Sequence, residues 1–158
     1  MNAKIKIGLI NAVAFFLFLA DRAIKYYFEK FPAREFFIFG DFFKLKLAHN
    51  PGIAFGIILP QILILVFYIL IILFLVWFLV SAYQRRKFGQ AFFLSLIIAG
   101  AFSNLFDRLG RGYVVDYFDL KYYSVFNLAD AMIVIGVVGL IYLFRDQSKK
   151  LDRLFEKE

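Results

Sequence analysis

Long apolar stretches alternate with short polar ones along the chain, and four of the apolar stretches run far enough to cross a lipid bilayer. A helix rises about 1.5 Å per residue, so a hydrocarbon core of roughly 30 Å takes about 20 residues. The stretches over 7–28, 60–83, 88–106 and 128–144 are of that order, and the second is the most apolar. The pattern predicts a mainly α membrane protein with four transmembrane helices, forming a single membrane domain over 1–158. Two longer polar segments remain, 29–59 and 107–127. Within them Phe43-Lys44-Leu45-Lys46-Leu47 alternates at period two, and Tyr113-Val114-Val115-Asp116-Tyr117-Phe118 also reads as a strand, so a small β-sheet beside the membrane is expected. The aromatic run from Phe36 to Phe43 reads as an interfacial belt or a lipid-contacting sheet.

Composition strengthens this picture. The chain of 158 residues is 63% hydrophobic with a mean hydropathy of +0.75, well above what a water-soluble domain carries. The net charge of +7 does not point to nucleic acid, because the bases lie mostly between apolar runs and in the tail, where lipid head groups and topology account for them. The tight basic segment Gln84-Arg85-Arg86-Lys87 is expected in the cytoplasm. Lys4, Lys6 and the basic tail fall on the same side, so both termini are expected inside and the sheet is extracytoplasmic. The first apolar stretch is too long for a cleavable leader and carries Asp21, Arg22 and Lys25 where a cleavage site belongs. Cysteine is absent and His49 is the one histidine, which excludes disulfides and argues against a metal centre; no cofactor is expected.

On this topology the polar residues gather at one face. Asp21 and Lys25, four apart with the acid first, lie in the outer half of the first span. Asn50 and Gly52 lie in the first outer loop, Asn104, Asp107 and Arg108 end the third span, Asp116 sits in the second outer loop, and Asn127 and Asp130 begin the fourth span. The inner halves of the spans read as apolar. Asp130 demands most explanation, since none of the fourteen residues after it could pair with a carboxylate, and an ionisable group inside a span is a functional hypothesis by default. Two carboxylates brought together in a weakly polar setting share a proton, and such a pair can activate water and protonate a leaving group. Asp119 competes with Asp116 for the second position, and spacing alone does not separate them. Plainer roles stand beside these: Asp21 with Lys25 as an interface pair, Asp107 paired with Arg108 or Arg111, Asn50-Pro51-Gly52 as a turn, and His49 as a surface residue. A proton-coupled four-span transporter is the rival function, but carriers need polar groups near the membrane midplane.

Five blocks in order resemble the lipoprotein signal peptidases (signal peptidase II), the bacterial membrane aspartyl proteases. Asp21-Arg22-Ala23-Ile24-Lys25 resembles D-x-x-x-K, and Asn50 to Gly56 resembles N-x-G-x-A-F-G. Gly100 to Arg108 resembles G-A-x-G-N-x-x-D-R, Val114 to Tyr117 resembles V-V-D-F, and Phe126-Asn127-Leu128-Ala129-Asp130 resembles F-N-x-A-D. The resemblance implies Asp116 and Asp130 as the catalytic dyad, with Asn50, Gly52, Asn104, Arg108 and Asn127 binding substrate and Asp21, Lys25 and Ala129 in support. It implies a diacylglyceryl-modified prolipoprotein as substrate, cut before the lipidated cysteine, with inhibition by globomycin and no metal. It places the protein as a monomer among the lipids of the bacterial cytoplasmic (inner) membrane, with its active site at the outer face. Ala99 and Ser103 stand where the family usually has glycine, and Tyr117 where it has phenylalanine.

Overall fold

The computed structural model describes residues 1–52 and 59–155, with side chains as far as residue 146. Its elements in chain order are helix α1 (Ala3–Lys30), strands β1 (Phe36–Phe39) and β2 (Phe43–Asn50), helices α2 (Gln61–Gln84) and α3 (Phe88–Arg111), strand β3 (Val114–Leu120) and helix α4 (Leu128–Phe155). All four helices carry a stretch long and apolar enough to cross a membrane. The expected class, mainly helical with a small sheet, is the one observed.

α3 is the axis of the bundle, and α1, α2 and α4 pack around it. It alone buries most of its length, polar Ser103, Asn104, Asp107 and Arg108 included. The other three turn large apolar side chains outward, such as Phe67, Leu70 and Trp77 on α2 and Val134 and Val138 on α4. Hydrocarbon accepts such a surface, while the helices satisfy their own backbone groups. α3 and α4 meet through glycine. A methyl group on Gly100 would run into the Ala129 carbonyl oxygen, and one on Gly136 would sit 2.8 Å from the Phe93 carbonyl oxygen. Small residues at such crossings let backbones touch, which is how helices associate without a hydrophobic drive between them.

The helix α3 continues past Phe106 to Arg111 and ends on Gly112 in the left-handed conformation (φ 81°), so Asp107 and Arg108 stand on a helix rather than in a loop. The sheet is antiparallel in the order β1-β2-β3, with Ala48 opposite Asp116 and Asn50 opposite Val114. It seats on the C-terminal end of α1, where Phe28 stacks on Tyr117 with ring centroids 5.8 Å apart. The aromatic stretch from Phe36 forms the edge strand β1, all four of whose residues are exposed. At the opposite end of the bundle, the Lys6 amine lies 5.0 Å from the centre of the Phe88 ring and Gly89 faces Leu143. The start of α1, the α2–α3 turn and the distal part of α4 therefore share one end, called here the basic end. The sheet and the start of α4 share the other.

Candidate active site

Asn127 organises the site end. It precedes α4 and closes a reciprocal cap: the Asp130 amide donates to Asn127 Oδ1 (2.8 Å), and the Asn127 amide donates to Asp130 Oδ2 (3.2 Å). This is the capping-box arrangement, built here from asparagine and aspartate. Asn127 Nδ2 also donates to Asp116 Oδ1 at 2.6 Å, so one residue ties both carboxylates together. The remaining oxygens take neutral amides as well. Asn104 Nδ2 donates to Asp130 Oδ1 (2.7 Å), and Asn50 Nδ2 donates to Asp116 Oδ2 (3.1 Å). No cation touches either carboxylate in the described contacts.

Asp116 is 2% exposed. Burial first, and the neighbouring Asp130 charge second, push its carboxyl up to about 7, against the opposing pull of the Asn50 and Asn127 hydrogen bonds. Side chains alternate across a strand, so Asp116 and Asp119, three apart on β3, point to opposite faces. Asp119 turns to Lys46, 3.0 Å away on β2, and takes no part in this cluster.

Charge is concentrated one layer behind. Lys25 is fully buried between Asp21 (3.0 Å) and Asp107 (2.9 Å), and it donates to Asn104 Oδ1 (2.8 Å). The lysine thus turns into the bundle instead of reaching for water. Asp107 also pairs with Arg22 (2.5 Å) and Arg111 (2.8 Å), whereas Arg108 goes elsewhere. Two of the three departures from the family pattern, Ser103 and Tyr117, serve Asp21. Ser103 Oγ donates to Asp21 Oδ2 at 2.6 Å, and Tyr117 OH donates to Asp21 Oδ1 at 2.9 Å. Burial and Asp21 hold the Tyr117 hydroxyl far above its ordinary pKa, so it stays a donor, and it accepts the Leu128 amide in turn. The Ala129 amide completes the shell of Asp21 at 3.2 Å.

A cavity of about 280 Å³ opens beside this cluster, lined by Asn50, Tyr68, Asn104, Arg108, Phe126 and Asp130 among others. Asp130 faces it; Asp116 stands behind. Arg108 Nη2 donates to the Gly52 carbonyl (2.6 Å), and the Gly52 amide donates to Asn50 Oδ1 (3.1 Å), so the turn holds the residue that holds Asp116. Arg108 Nε is buried without an acceptor among the described residues. The part of the Asn50–Gly56 block beyond Gly52 lies outside the described residues. His49 is exposed, bonded to Glu29 at 3.0 Å. No group of three or more His, Cys, Asp or Glu side chains fit to hold a metal occurs among the described residues.

Sequence reasoning missed three features. The Asn127–Asp130 cap was legible as N-x-x-D before an apolar run, and gives Asp130 a structural task beside any chemical one. Tyr68, whose ring centre lies 5.5 Å from the Arg108 guanidinium carbon, is one tyrosine within an apolar helix and carries no pattern that marks it. The basic half of the bundle is not wholly apolar either: Tyr83 OH donates to Asn11 Oδ1 (2.7 Å) and lies 3.5 Å from Ser95 Oγ.

Two solved structures, each described as a bacterial membrane enzyme, share this architecture. One matches with a TM-score of 0.77 and 28% identity over 91% of this chain and 92% of its own; the other with 0.73 and 26% over 87% and 93%. Fold and site together define a small polytopic membrane enzyme. Sequence narrows the class: the family model described as signal peptidase (SPase) II matches residues 13–145. Proteins named lipoprotein signal peptidase are similar throughout. That of Halothermothrix orenii is 39% identical over 89% of this chain and 98% of its own, and that of Staphylococcus aureus 31% over 97% and 98%. The chain belongs to the signal peptidase II family.

Proposed function

We propose that the protein is an aspartyl endopeptidase that removes the signal peptide from diacylglyceryl-modified prolipoproteins, with Asp116 and Asp130 as its dyad. The carrying observation is the Asn127 bridge, which joins carboxylates from β3 and α4 through neutral donors alone, beside a cavity. Neutral donors orient the pair without removing its shared proton. Asp116, raised to about 7, holds that proton at the start; Asp130, on the cavity, takes one from water as the water oxygen attacks the scissile carbonyl carbon. Asp116 protonates the carbonyl oxygen as the tetrahedral intermediate forms. The intermediate collapses when the carbon–nitrogen bond breaks: the proton on Asp130 passes to the departing amine, and a hydroxyl proton of the intermediate returns to Asp116, which restores the starting pair. The products are a signal peptide with a new carboxylate and a lipoprotein beginning at the lipidated cysteine. Asn50, Asn104, Asn127 and Arg108 hold the substrate backbone, and Arg108 Nε, without an acceptor among the described residues, is left to donate to a substrate carbonyl. Asp21, Lys25 and Ala129 fix α1, α3 and the start of α4 relative to one another.

The protein functions as a monomeric membrane domain in the bacterial cytoplasmic membrane, termini inside and the site end outside. The basic α2–α3 turn, Gln84 to Lys87, supports that orientation. The decisive experiment is gel-shift cleavage of a diacylglyceryl prolipoprotein in detergent by wild type, Asp116→Asn, Asp130→Asn and Asp119→Asn. Cleavage lost in the first two variants and kept in the third is expected; near-normal cleavage by either dyad variant would overturn the assignment.

A further inference from the structure

A second cavity, about 420 Å³, lies between α1, α2 and α3. Its lining includes Asn11, Phe15, Phe18, Leu79, Ser95 and Ala99, and it shares no lining residue with the cavity beside Asp130. The volume is that of a ligand site, yet the walls are hydrocarbon-like apart from Asn11 and Ser95.

The stripes that form the groove lead to the basic end. On α1, Lys4, Gly8, Asn11, Phe15 and Phe18 recur at helical spacing, with nothing within 4 Å of where a Gly8 side chain would start. On α2, Leu79 and Tyr83 run into Arg85 and Arg86; on α3, Ser95 runs back to Lys87. Lys6 leans over the Phe88 ring at the same end. Bases outnumber acids at this end: the first acid along α1 is Asp21, the α2–α3 turn and the first turn of α3 carry none, and the described part of distal α4 adds Asp146 beside Arg145. Asn11 lies about 7–8 Å below Lys6 along the helix axis. Its Oδ1 is taken by Tyr83, which leaves the Nδ2 as a donor in the groove.

We propose that this groove binds one anionic phospholipid. The phosphate sits among Lys4, Lys6, Arg86 and Lys87, an ester carbonyl accepts from Asn11, and one acyl chain lies along Phe15, Phe18 and Ala99. A cation cluster at the membrane surface over an interhelical groove recognises this chemistry: charge selects the head group and the apolar walls hold the chain. A signal-peptide helix would need neither the cations nor the lone amide, and the groove does not open onto the dyad. The site is independent of the catalytic assignment, since its readout needs no turnover.

The test is native mass spectrometry of the purified protein in neutral detergent, titrated with phosphatidylglycerol or phosphatidylcholine of matched chains. Wild type should retain one phosphatidylglycerol with roughly tenfold or greater preference, as several surface cations imply. Lys4→Gln/Lys6→Gln/Lys87→Gln, all at the bundle surface, should abolish that preference, and Ala99→Phe, which fills the groove, should lower retention of both lipids. Equal retention of the two lipids by wild type, or a preference that survives the triple substitution, would overturn the proposal. So would an Ala99→Phe variant that retained both lipids normally, since a lipid seated in the groove could not survive its filling.

Discussion

The proton that the proposed dyad would share can be tuned through a single bond. Asn50 Nδ2 donates to Asp116 Oδ2 over 3.1 Å. A donor to a carboxylate favours its ionised form, so this bond pulls the Asp116 pKa down from where burial and Asp130 would otherwise set it. Removing the donor in Asn50→Ala must raise it. A hydrogen bond to a charged group is worth about 1.5–3 kcal/mol, which corresponds to roughly 1–2 pKa units. At 3.1 Å the bond is long for a charge-assisted one, placing the expected shift near the lower figure, about 1 unit. With Asp116 at about 7, wild-type kcat/KM should fall tenfold per pH unit above about pH 7, as the pair loses the proton it must donate. In Asn50→Ala the same limb should begin about one unit higher. The rate itself will drop, because Asn50 also anchors Gly52 and is a proposed substrate contact, so the midpoint of the limb is the readout and its height is not. The assay is gel-shift cleavage at low substrate across the pH range. An alkaline limb that stayed in place, or moved to lower pH, would refute the argument that Asp116 carries the proton and Asn50 opposes it.

Other outcomes follow from the same contacts. Asp116 binds its proton more tightly folded than unfolded, so the stability it contributes is whole below the ordinary carboxylate range and is lost as pH rises through about 7. Asp116→Asn should therefore abolish cleavage yet raise the thermal midpoint in detergent at alkaline pH by a few degrees, and by less at acid pH. Lys25→Met leaves Asp21 buried with no cation among its described partners, and should cost about 3–5 kcal/mol by denaturant unfolding, partly recovered in Lys25→Met/Asp21→Asn. Asp119→Asn breaks a half-exposed pair with Lys46 and should leave both stability and cleavage within about 1 kcal/mol of wild type. Gly100→Leu forces α3 from the Ala129 carbonyl, so it should lower kcat through the displaced start of α4 and destabilise by at least about 1–3 kcal/mol.

How much of this was legible beforehand depended on the range of the signal. The four helices and two of the strands were local patterns, and period and length sufficed to find them. β1 was read only as a sheet or an interfacial belt, because an all-aromatic run lacks the alternation that would fix a strand, and in the fold it is exposed throughout. The end of α3 was placed too early by hydropathy. Asp107 and Arg108 are polar, but they sit on a helix because Lys25 and the Gly52 carbonyl, distant in sequence, give them partners. Of the partners of Asp107, Arg111 stands one turn on along the same helix, where sequence spacing already offered it, whereas Arg22 and Lys25 come from α1, about eighty residues away, and no spacing rule reaches that far. Ser103 and Tyr117 read in the sequence only as departures from the family blocks, but in space they converge on the two oxygens of Asp21.

The arrangement of charge explains why these distant partners matter to chemistry. A lysine in direct contact with Asp130 would favour the ionised form and strip the pair of its shared proton. Here Lys25 stops at Asn104 Oδ1, and the amide passes its other end to Asp130 Oδ1. The asparagine therefore polarises the carboxylate and fixes its orientation while keeping the cation one group away. Asp21 and Asp107 hold the lysine on the far side, so most of its charge is offset where it stands. The reciprocal cap with Asn127 then fixes Asp130 by the fold of α4 itself, so the same two bonds that start the helix aim the carboxylate at the cavity. On this reasoning Asn104 cannot be exchanged for aspartate without loss. Asn104→Asp would capture Lys25 directly, place a third carboxylate beside Asp130 and remove its amide donor. Cleavage should fall by at least a hundredfold, as expected when the orienting partner of a proton-transferring group is removed, in a protein that remains folded by its thermal transition. Activity of Asn104→Asp near that of wild type would show that the layer of neutral amides is packing alone.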